Sequence, residues 1–364
     1  MSGRIVLLGA TGYTGGIVLD ALLRRGLAPV LAGRNRDALA ALAGRGGGLD
    51  YRIADVTDPE SVANLVDSGD VLISTVGPFE RYGYPVACAA AEAGAHYIDS
   101  TGEVGFVREL RRRLHERARE TGSLMVPAFG YDYVPGILAA HLAARQAEAP
   151  VRSIDVGYLA TGPLSKGLSQ GTRITMRDGL PLPSPRWSGG RLVDARTGSK
   201  VRAFDVRGKR KNATLVSGTE VLFLPEDLPT VDAVTVYNGW FPALARPMVV
   251  MSAMTAQLSR IAVGRKLIDI VSRPMIGPAG GPDAAERAST RSHVVAVATD
   301  ASGQSSEVHV EGPSAYSLTG ELMAWAAQRL ASAPVRTAGV VGPVGAFGFE
   351  TLRDGCADAG LIPV

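Results

Sequence analysis

Three glycines, Gly9, Gly12 and Gly15, stand in the segment Gly-Ala-Thr-Gly-Tyr-Thr-Gly, directly after the apolar run Ile5–Leu8. This spacing supplies a tight turn, a backbone surface that a pyrophosphate can approach, and a close helix–strand packing point. Amides of a helix opening there, around Thr11, Tyr13 and Thr14, would face the phosphate oxygens. The next apolar run ends in Leu-Ala-Gly-Arg34. A carboxylate at that strand end would accept the ribose 2′-hydroxyl of NAD. Arginine offers a planar fork to a 2′-phosphate instead, so the sequence predicts NADP. Asp55 and Val56 follow the third run and are placed to meet the adenine, with helix capping as the competing role for Asp55. Thr75-Val76-Gly77-Pro78 ends the fourth run, where the chain would pass the nicotinamide.

Hydride transfer asks the protein mainly for orientation. Reducing a conjugated C=C bond also requires a group that stabilises charge on oxygen and a source of the second proton. Tyr131, Asp132 and Tyr133, on the loop after the sixth apolar run, are assigned that work, with either tyrosine as the hydrogen-bond donor. Tyrosines packing a domain boundary are the competing reading. Tyr82, Tyr84, Asp99 and Glu103 are further candidates, the two acids more naturally orienting loops or capping the next helix. Reduction of an imine would use similar groups. Other chemistries lack their residues. None of Lys166, Lys200, Lys209, Lys211 and Lys266 has a tyrosine four positions earlier, which excludes the Tyr-x-x-x-Lys mechanism of short-chain dehydrogenases. Cys88 sits in an alanine-rich helical pattern and reads as core, and Cys356 lies in the tail. His96, His115, His141, His293 and His309 are too scattered for metal-ligand spacing, so no metal is expected.

The elements that must position these residues alternate in type. Apolar runs at Ile5–Leu8, Pro29–Ala32, Tyr51–Ala54, Val71–Val76, His96–Asp99 and Leu124–Ala128 are separated by helical patterns, including Asp58–Asp67, Pro85–Ala93 and Phe106–Thr121. That alternation predicts an α/β fold, a Rossmann-type doubly wound parallel sheet. Beyond Pro150 the pattern changes to that of a second, α+β domain. His293–Thr299 and Ser305–Glu311 read as a hairpin, 162–190 and 196–212 as loops, Pro242–Ser272 as mostly helical and Ser314–Leu330 as an amphipathic helix. The expected organisation is residues 1–148 for the nucleotide, 149–311 for substrate and dimerisation, and 312–364 returning to the first domain.

Composition fits. The chain has 364 residues, 46% of them hydrophobic and 20% charged, enough for two globular domains. Lys+Arg 38 against Asp+Glu 35 is too balanced for a nucleic-acid-binding protein. The opening apolar run is too short for a signal peptide. The longest apolar stretch, Pro247–Ala262, carries Gln257 and Arg260 and falls short of the ~18–20 residues that span a membrane. With Arg265, Lys266 and Asp269 beyond it, it reads as a partly buried amphipathic helix, a lipid-touching surface being the alternative. A soluble, cytoplasmic protein is expected.

Five motifs occur in order: Gly9 to Gly15, Ala32-Gly-Arg34, Val76-Gly-Pro-Phe79, Tyr97-Ile-Asp-Ser-Thr-Gly-Glu103, and Gly130-Tyr-Asp-Tyr-Val-Pro-Gly136. The set resembles the saccharopine dehydrogenase-like family of NADP-binding oxidoreductases, and within it the actinobacterial trans-acting enoyl reductases. A weaker likeness continues through Gly281-Pro282, Glu286-Arg287 and the segment Gly312-Pro313 to Thr319-Gly320. The resemblance implies a Rossmann domain interrupted by a substrate domain whose sheet also mediates dimers. By it, Gly9, Gly12, Gly15 and Arg34 match cofactor positions, Thr75 to Pro78 match the nicotinamide-side loop, and Asp132 matches the aspartate of a Gly-x-Asp…Pro motif. The chain is short for the enoyl reductase branch and lacks the amino-acid-binding arginine pattern of true saccharopine enzymes. The expected activity is NADPH-dependent reduction of an unsaturated acyl or polyketide-like substrate, free or as a carrier-bound thioester. The basic run Arg207–Lys211 would meet a carrier, or else is a solvated loop. Imine reduction or amine dehydrogenation, and NADP sensing or scaffolding without turnover, are the alternatives.

Overall fold

The computed structural model describes residues 3–162, 168–179, 181–258, 261, 263, 266, 270, 272 and 276–364. The chain divides into two compact units, Met1–Val134 with Ala315–Gly360, and Pro135–Ser314 with Leu361–Val364.

In the first unit, β1 (Ile5–Leu8) is buried at all four positions, which demands cover on both faces. Then follow α1 (Tyr13–Arg24), β2 (Val30–Gly33), α2 (Arg36–Arg45), β3 (Tyr51–Ile53), α3 (Pro59–Ala63), β4 (Val71–Ser74), α4 (Phe79–Ala93), β5 (His96–Asp99), α5 (Val104–Thr121) and β6 (Leu124–Val126). Caps explain several boundaries. The Asn35 side chain accepts from the Ala38 amide and starts α2, and Asp58 with Pro59 starts α3. Gly94 and Gly122, at φ +72 and +79, end α4 and α5 in the left-handed conformation. The structure shortens the helix expected over Asp58–Asp67 to one turn. It starts α4 six residues before Pro85, because the cap lies at Pro78.

The second unit contains α6 (Val134–Gln146), β7 (Val151–Thr161), α7 (Gln170–Gly179), β8 (Pro183–Ser188), β9 (Leu192–Arg196), β10 (Val201–Val206), β11 (Lys209–Val216), α8 (Glu220–Asp227), β12 (Ala233–Asn238), α9 (Ala245–Leu258), α10 (Ala284–Ser289), β13 (Arg291–Asp300) and β14 (Ser305–Gly312). β7 runs parallel to β12 and antiparallel to β13 at the centre of a mixed sheet. Leu159, Phe204, Leu215, Tyr237 and Val295 are among its core. The loops expected over 162–190 and 196–212 are corrected here. The first holds α7 and β8, and the second becomes a hairpin turning at Arg207-Gly208, both at positive φ. Its polar residues occupy outward strand faces, which hid the alternation. The basic run Arg207–Lys211 is thus a hairpin tip, with Arg207 paired to Glu311 at 2.5 Å. Residues 163–167 and 180 of the expected first loop lie outside the described residues.

The chain then re-enters the first unit as α11 (Ala315–Ser332), β15 (Gly339–Val340), α12 (Pro343–Phe347) and α13 (Phe349–Asp358), before β16 (Ile362–Pro363) joins β14. The first unit's sheet has the order β15-β6-β5-β4-β1-β2-β3, all parallel, and reverses direction of build between β1 and β4. The units divide at 134/135 and 314/315, so α6 lies in the second unit, away from the boundary at 148 read from the sequence.

Leu318, Leu322, Met323 and Trp325 of α11 are buried. The helix packs so closely on α1 that a Cβ at Gly320 would lie 2.7 Å from Ile17 Cγ2 and 3.1 Å from the Ile17 carbonyl oxygen. Gly320→Val must therefore separate α1 from α11. We expect a loss of about 1–3 kcal/mol, read as a Tm lowered by several degrees. An unchanged Tm would show that the two helices are not packed this way.

Candidate functional site

The turn after β1 is made of backbone. Gly9 has φ +85, and a Cβ there would come within 2.6 Å of Thr75 Oγ1. A Cβ at Gly15 would lie 2.1 Å from the Gly9 carbonyl oxygen, so only glycine closes this turn. The Gly12 amide donates to that same carbonyl at 2.9 Å. Helix α1 then starts with no side-chain cap and no acidic residue in its first turn. Its positive end is left for an exogenous anion, as a dinucleotide pyrophosphate requires. Thr11 and Gly12 are exposed beside it, Thr14 is half-buried, and the Tyr13 ring stands edge-on to Tyr316 at 5.2 Å.

Arg34 is exposed immediately beyond β2. Asp55 accepts from the Thr57 amide at 2.9 Å and the Thr57 hydroxyl at 2.8 Å. These bonds, helped by the charge of Arg34, hold its carboxyl below the usual carboxylate range. Its carboxylate shapes the turn before α3, while the helix cap itself is Asp58. Val56 is buried.

Three loops at the carboxyl ends of β4, β5 and β6 are tied together. Thr75 reaches back to the first turn, its hydroxyl donating to the Leu8 carbonyl at 3.1 Å. Val76, Gly77 and Pro78 lead into α4. The cap of that helix comes from elsewhere in the chain: Glu103 Oε1 accepts from the Phe79 amide and Oε2 from the Glu80 amide, each at 2.9 Å. Asp99 Oδ1 accepts from the Thr101 amide at 2.9 Å and the Ala128 amide at 2.8 Å. The Asp99 carbonyl takes the Phe129 amide at 2.8 Å. Tyr82 is partly exposed on α4, whereas Tyr84 packs on Phe106 with Arg113 over its ring. Burial, followed by the charge of Glu80, raises the Tyr84 pKa and keeps its hydroxyl protonated.

On the last loop, Tyr131 and Tyr133 are buried at 3% and 0% exposure, while Asp132 between them is solvent-accessible. The Tyr131 amide donates to Thr319 Oγ1 at 3.1 Å. A Cβ on Gly102 would lie 3.3 Å from Asp132 Oδ2, so the aspartate lies directly over the β5 loop. Crowding by protein, despite that access, raises the Asp132 pKa to about 6. The structure thus brings Asp99, Glu103 and Asp132 into one set of adjoining loops with Thr75–Pro78. Sequence reasoning missed the cap that Glu103 makes on α4, since its partners lie 23 and 24 residues away and no local spacing signals them.

The parallel sheet, its switch point and the glycine turn define a dinucleotide-binding protein of the doubly wound class. Residues 5–126 match the saccharopine dehydrogenase NADP binding domain family. The uncapped α1 start, the glycine turn and Arg34 fit NADP. A trans-acting enoyl reductase of Mycobacterium ulcerans is 37% identical over 150 residues, covering 40% of this chain and 36% of the relative. A probable mitochondrial saccharopine dehydrogenase-like oxidoreductase of Arabidopsis thaliana is 35% identical over 161 residues, again 40% of this chain and 36% of the relative. The matched region is thus little more than a third of either relative's length. Apo saccharopine dehydrogenase (L-Glu forming) from Saccharomyces cerevisiae superposes with TM-score 0.61 over 100% of this chain and 99% of that one, at 14% identity, a likeness of fold.

Asp99 is fully buried, and desolvation lifts its pKa to about 6 against two backbone hydrogen bonds that lower it. The Tyr97 hydroxyl, buried beside it and facing Ser74 as well, opposes that rise together with the two amides. A folded-state pKa above the unfolded value gives stability that is complete below about pH 4 and lost as pH rises through about 6. Asp99→Asn keeps a carbonyl for the two amides and turns an NH₂ toward Ser74 and Tyr97. We expect it to match the parent near pH 4 and to gain on the order of 2–3 kcal/mol near pH 8, at about 1.4 kcal/mol per pKa unit. Urea unfolding at both pH values measures it. A variant less stable than the parent near pH 8 would show that the ionised carboxylate is needed there.

Proposed function

We propose that the protein is a cytoplasmic NADPH-dependent reductase that delivers hydride to the C=C bond of an unsaturated acyl or polyketide-like substrate, free or carrier-bound. The observation that carries this is the joining of the nucleotide turn, through Thr75, to loops that end in a solvent-accessible aspartate with a raised pKa. NADPH supplies the hydride when bound. The residues of the chain do the rest. The first turn of α1 would hold the pyrophosphate, and Arg34 would hold the 2′-phosphate. Thr75 to Pro78 shape the nicotinamide side. Proton delivery is assigned to the loop Tyr131-Asp132-Tyr133. With a pKa of about 6, Asp132 is protonated in a useful fraction just below neutral pH and can donate to the substrate. Tyr131 and Tyr133 are the donors to test beside it. The enoyl substrate follows the naming of the mycobacterial relatives, and imine reduction is its enzymatic rival.

Two outcomes check the reading. Arg34→Ala should erase the preference for NADPH over NADH, a loss of about 1.5–3 kcal/mol or roughly ten- to over a hundredfold in affinity, by titration of both cofactors. Equal affinity of the parent protein for both would refute the NADP assignment. In NADPH-consumption assays on enoyl thioesters and cyclic imines, the thioesters should be turned over. Asp132→Asn should then lower kcat by about 10²–10⁴ while NADPH affinity stays the same. If Tyr131→Phe or Tyr133→Phe causes that loss instead, the donor is the tyrosine. Turnover of imines alone moves the substrate class, and tight NADPH binding with no turnover supports a sensor.

A further inference from the structure

Helix α9 of the second unit is amphipathic in the wrong sense for a helix in water. Its inner side carries Met248 beside small and polar residues. Ser252 and Thr255 are buried at 1% and 8% exposure, satisfied by the Val249 and Met251 carbonyls. Arg196 also bonds to the Val249 carbonyl and to Ser252. The outer side carries Val250, Met251 and Met254 at 62%, 44% and 61% exposure. Leu244 just before the helix, and Ile261 and Val263 after it, are 52%, 58% and 76% exposed. A surface helix ordinarily puts such residues inward. This many large apolar side chains in one short stretch is more than the scattered exposure that needs no explanation.

Charge selects the occupant. From Ala233 to Ile268 the chain has the cations Arg246, Arg260, Arg265 and Lys266 and no acidic residue. Arg246 and Lys266 are exposed. An apolar face on a segment that carries cations and no carboxylate complements an anionic lipid surface. Aliphatic side chains enter the acyl boundary while guanidinium and ammonium groups stay at the phosphates. A second copy of the same patch would bring like charges together. α9 has 14 residues, and no helix among the described residues is long and apolar enough to cross a membrane, so the contact would be peripheral.

We infer that the outer face of α9 is a docking surface for an anionic lipid bilayer, with Val250, Met251 and Met254 inserted and Arg246 and Lys266 at the headgroups. The inference stands apart from the redox chemistry and holds whichever substrate is reduced.

The test is co-sedimentation of the full chain with phosphatidylcholine vesicles, with and without phosphatidylglycerol. Binding should appear with the anionic lipid and weaken as salt is raised. Val250→Glu with Met254→Glu should reduce binding at least tenfold with an unchanged Tm, since both side chains face solvent. Arg246→Glu with Lys266→Glu should also weaken it, which keeps the test decisive if the first pair alters folding. No sedimentation of the parent protein with anionic vesicles, or full binding by both double variants, overturns the proposal. A dimer in light scattering that Val250→Glu with Met254→Glu dissociates, without vesicle binding, overturns it in favour of self-association.

Discussion

A parallel sheet ends in loops whose amides have no ladder to join, and the first unit depends on two carboxylates that supply the missing acceptors. Glu103 takes both leading amides of α4. Asp99 takes one amide from its own loop and one from the loop after β6. Each is a contact to backbone, less mobile than a contact between two long side chains, and that of Glu103 is charge-assisted as well. Through them the ends of β4, β5 and β6 are tied together. The Thr75 hydroxyl extends that tie to the turn after β1. Placement of the nucleotide turn and of Asp132 therefore has a common origin.

Helix α1 shows the opposite arrangement. Where α4 is capped by a carboxylate, α1 begins at Gly12 with none and has no acid in its first turn. Both helices start near the same edge of the sheet, yet one positive end is neutralised internally and the other is left to a ligand. Filling the first with Glu103 prevents it from competing for an anion. Gly9 and Gly15 permit the turn before α1, because a methyl group at either would meet Thr75 or the turn itself.

The first unit was legible because its strands are buried on both faces and read as unbroken apolar runs, such as Ile5–Leu8 and Val71–Ser74. The glycine turn was legible because its demand is steric and local. The second unit was less so. In β10 and β11, Arg202, Lys209 and Arg210 sit among residues that pair across a hairpin, and composition there resembles a loop until the partner strand is known. The site divided in the same way. Residues set by local spacing, Gly9 to Gly15 and Arg34, could be read directly, while the cap made by Glu103 needs a contact more than twenty residues away. The tyrosines of the last loop stand out by their chemistry, and only the fold distinguishes their burial from the exposure of the aspartate between them.

That contrast extends to the two raised aspartates. Asp99 and Asp132 both have pKa values lifted to about 6 by loss of water around them. Asp99 has no exposure and spends one oxygen on two amides, so its shift records a cost of folding. Asp132 reaches solvent, so its carboxyl is open to molecules outside the chain. A displaced pKa marks a group under electrostatic stress, and access decides whether that stress serves structure or chemistry.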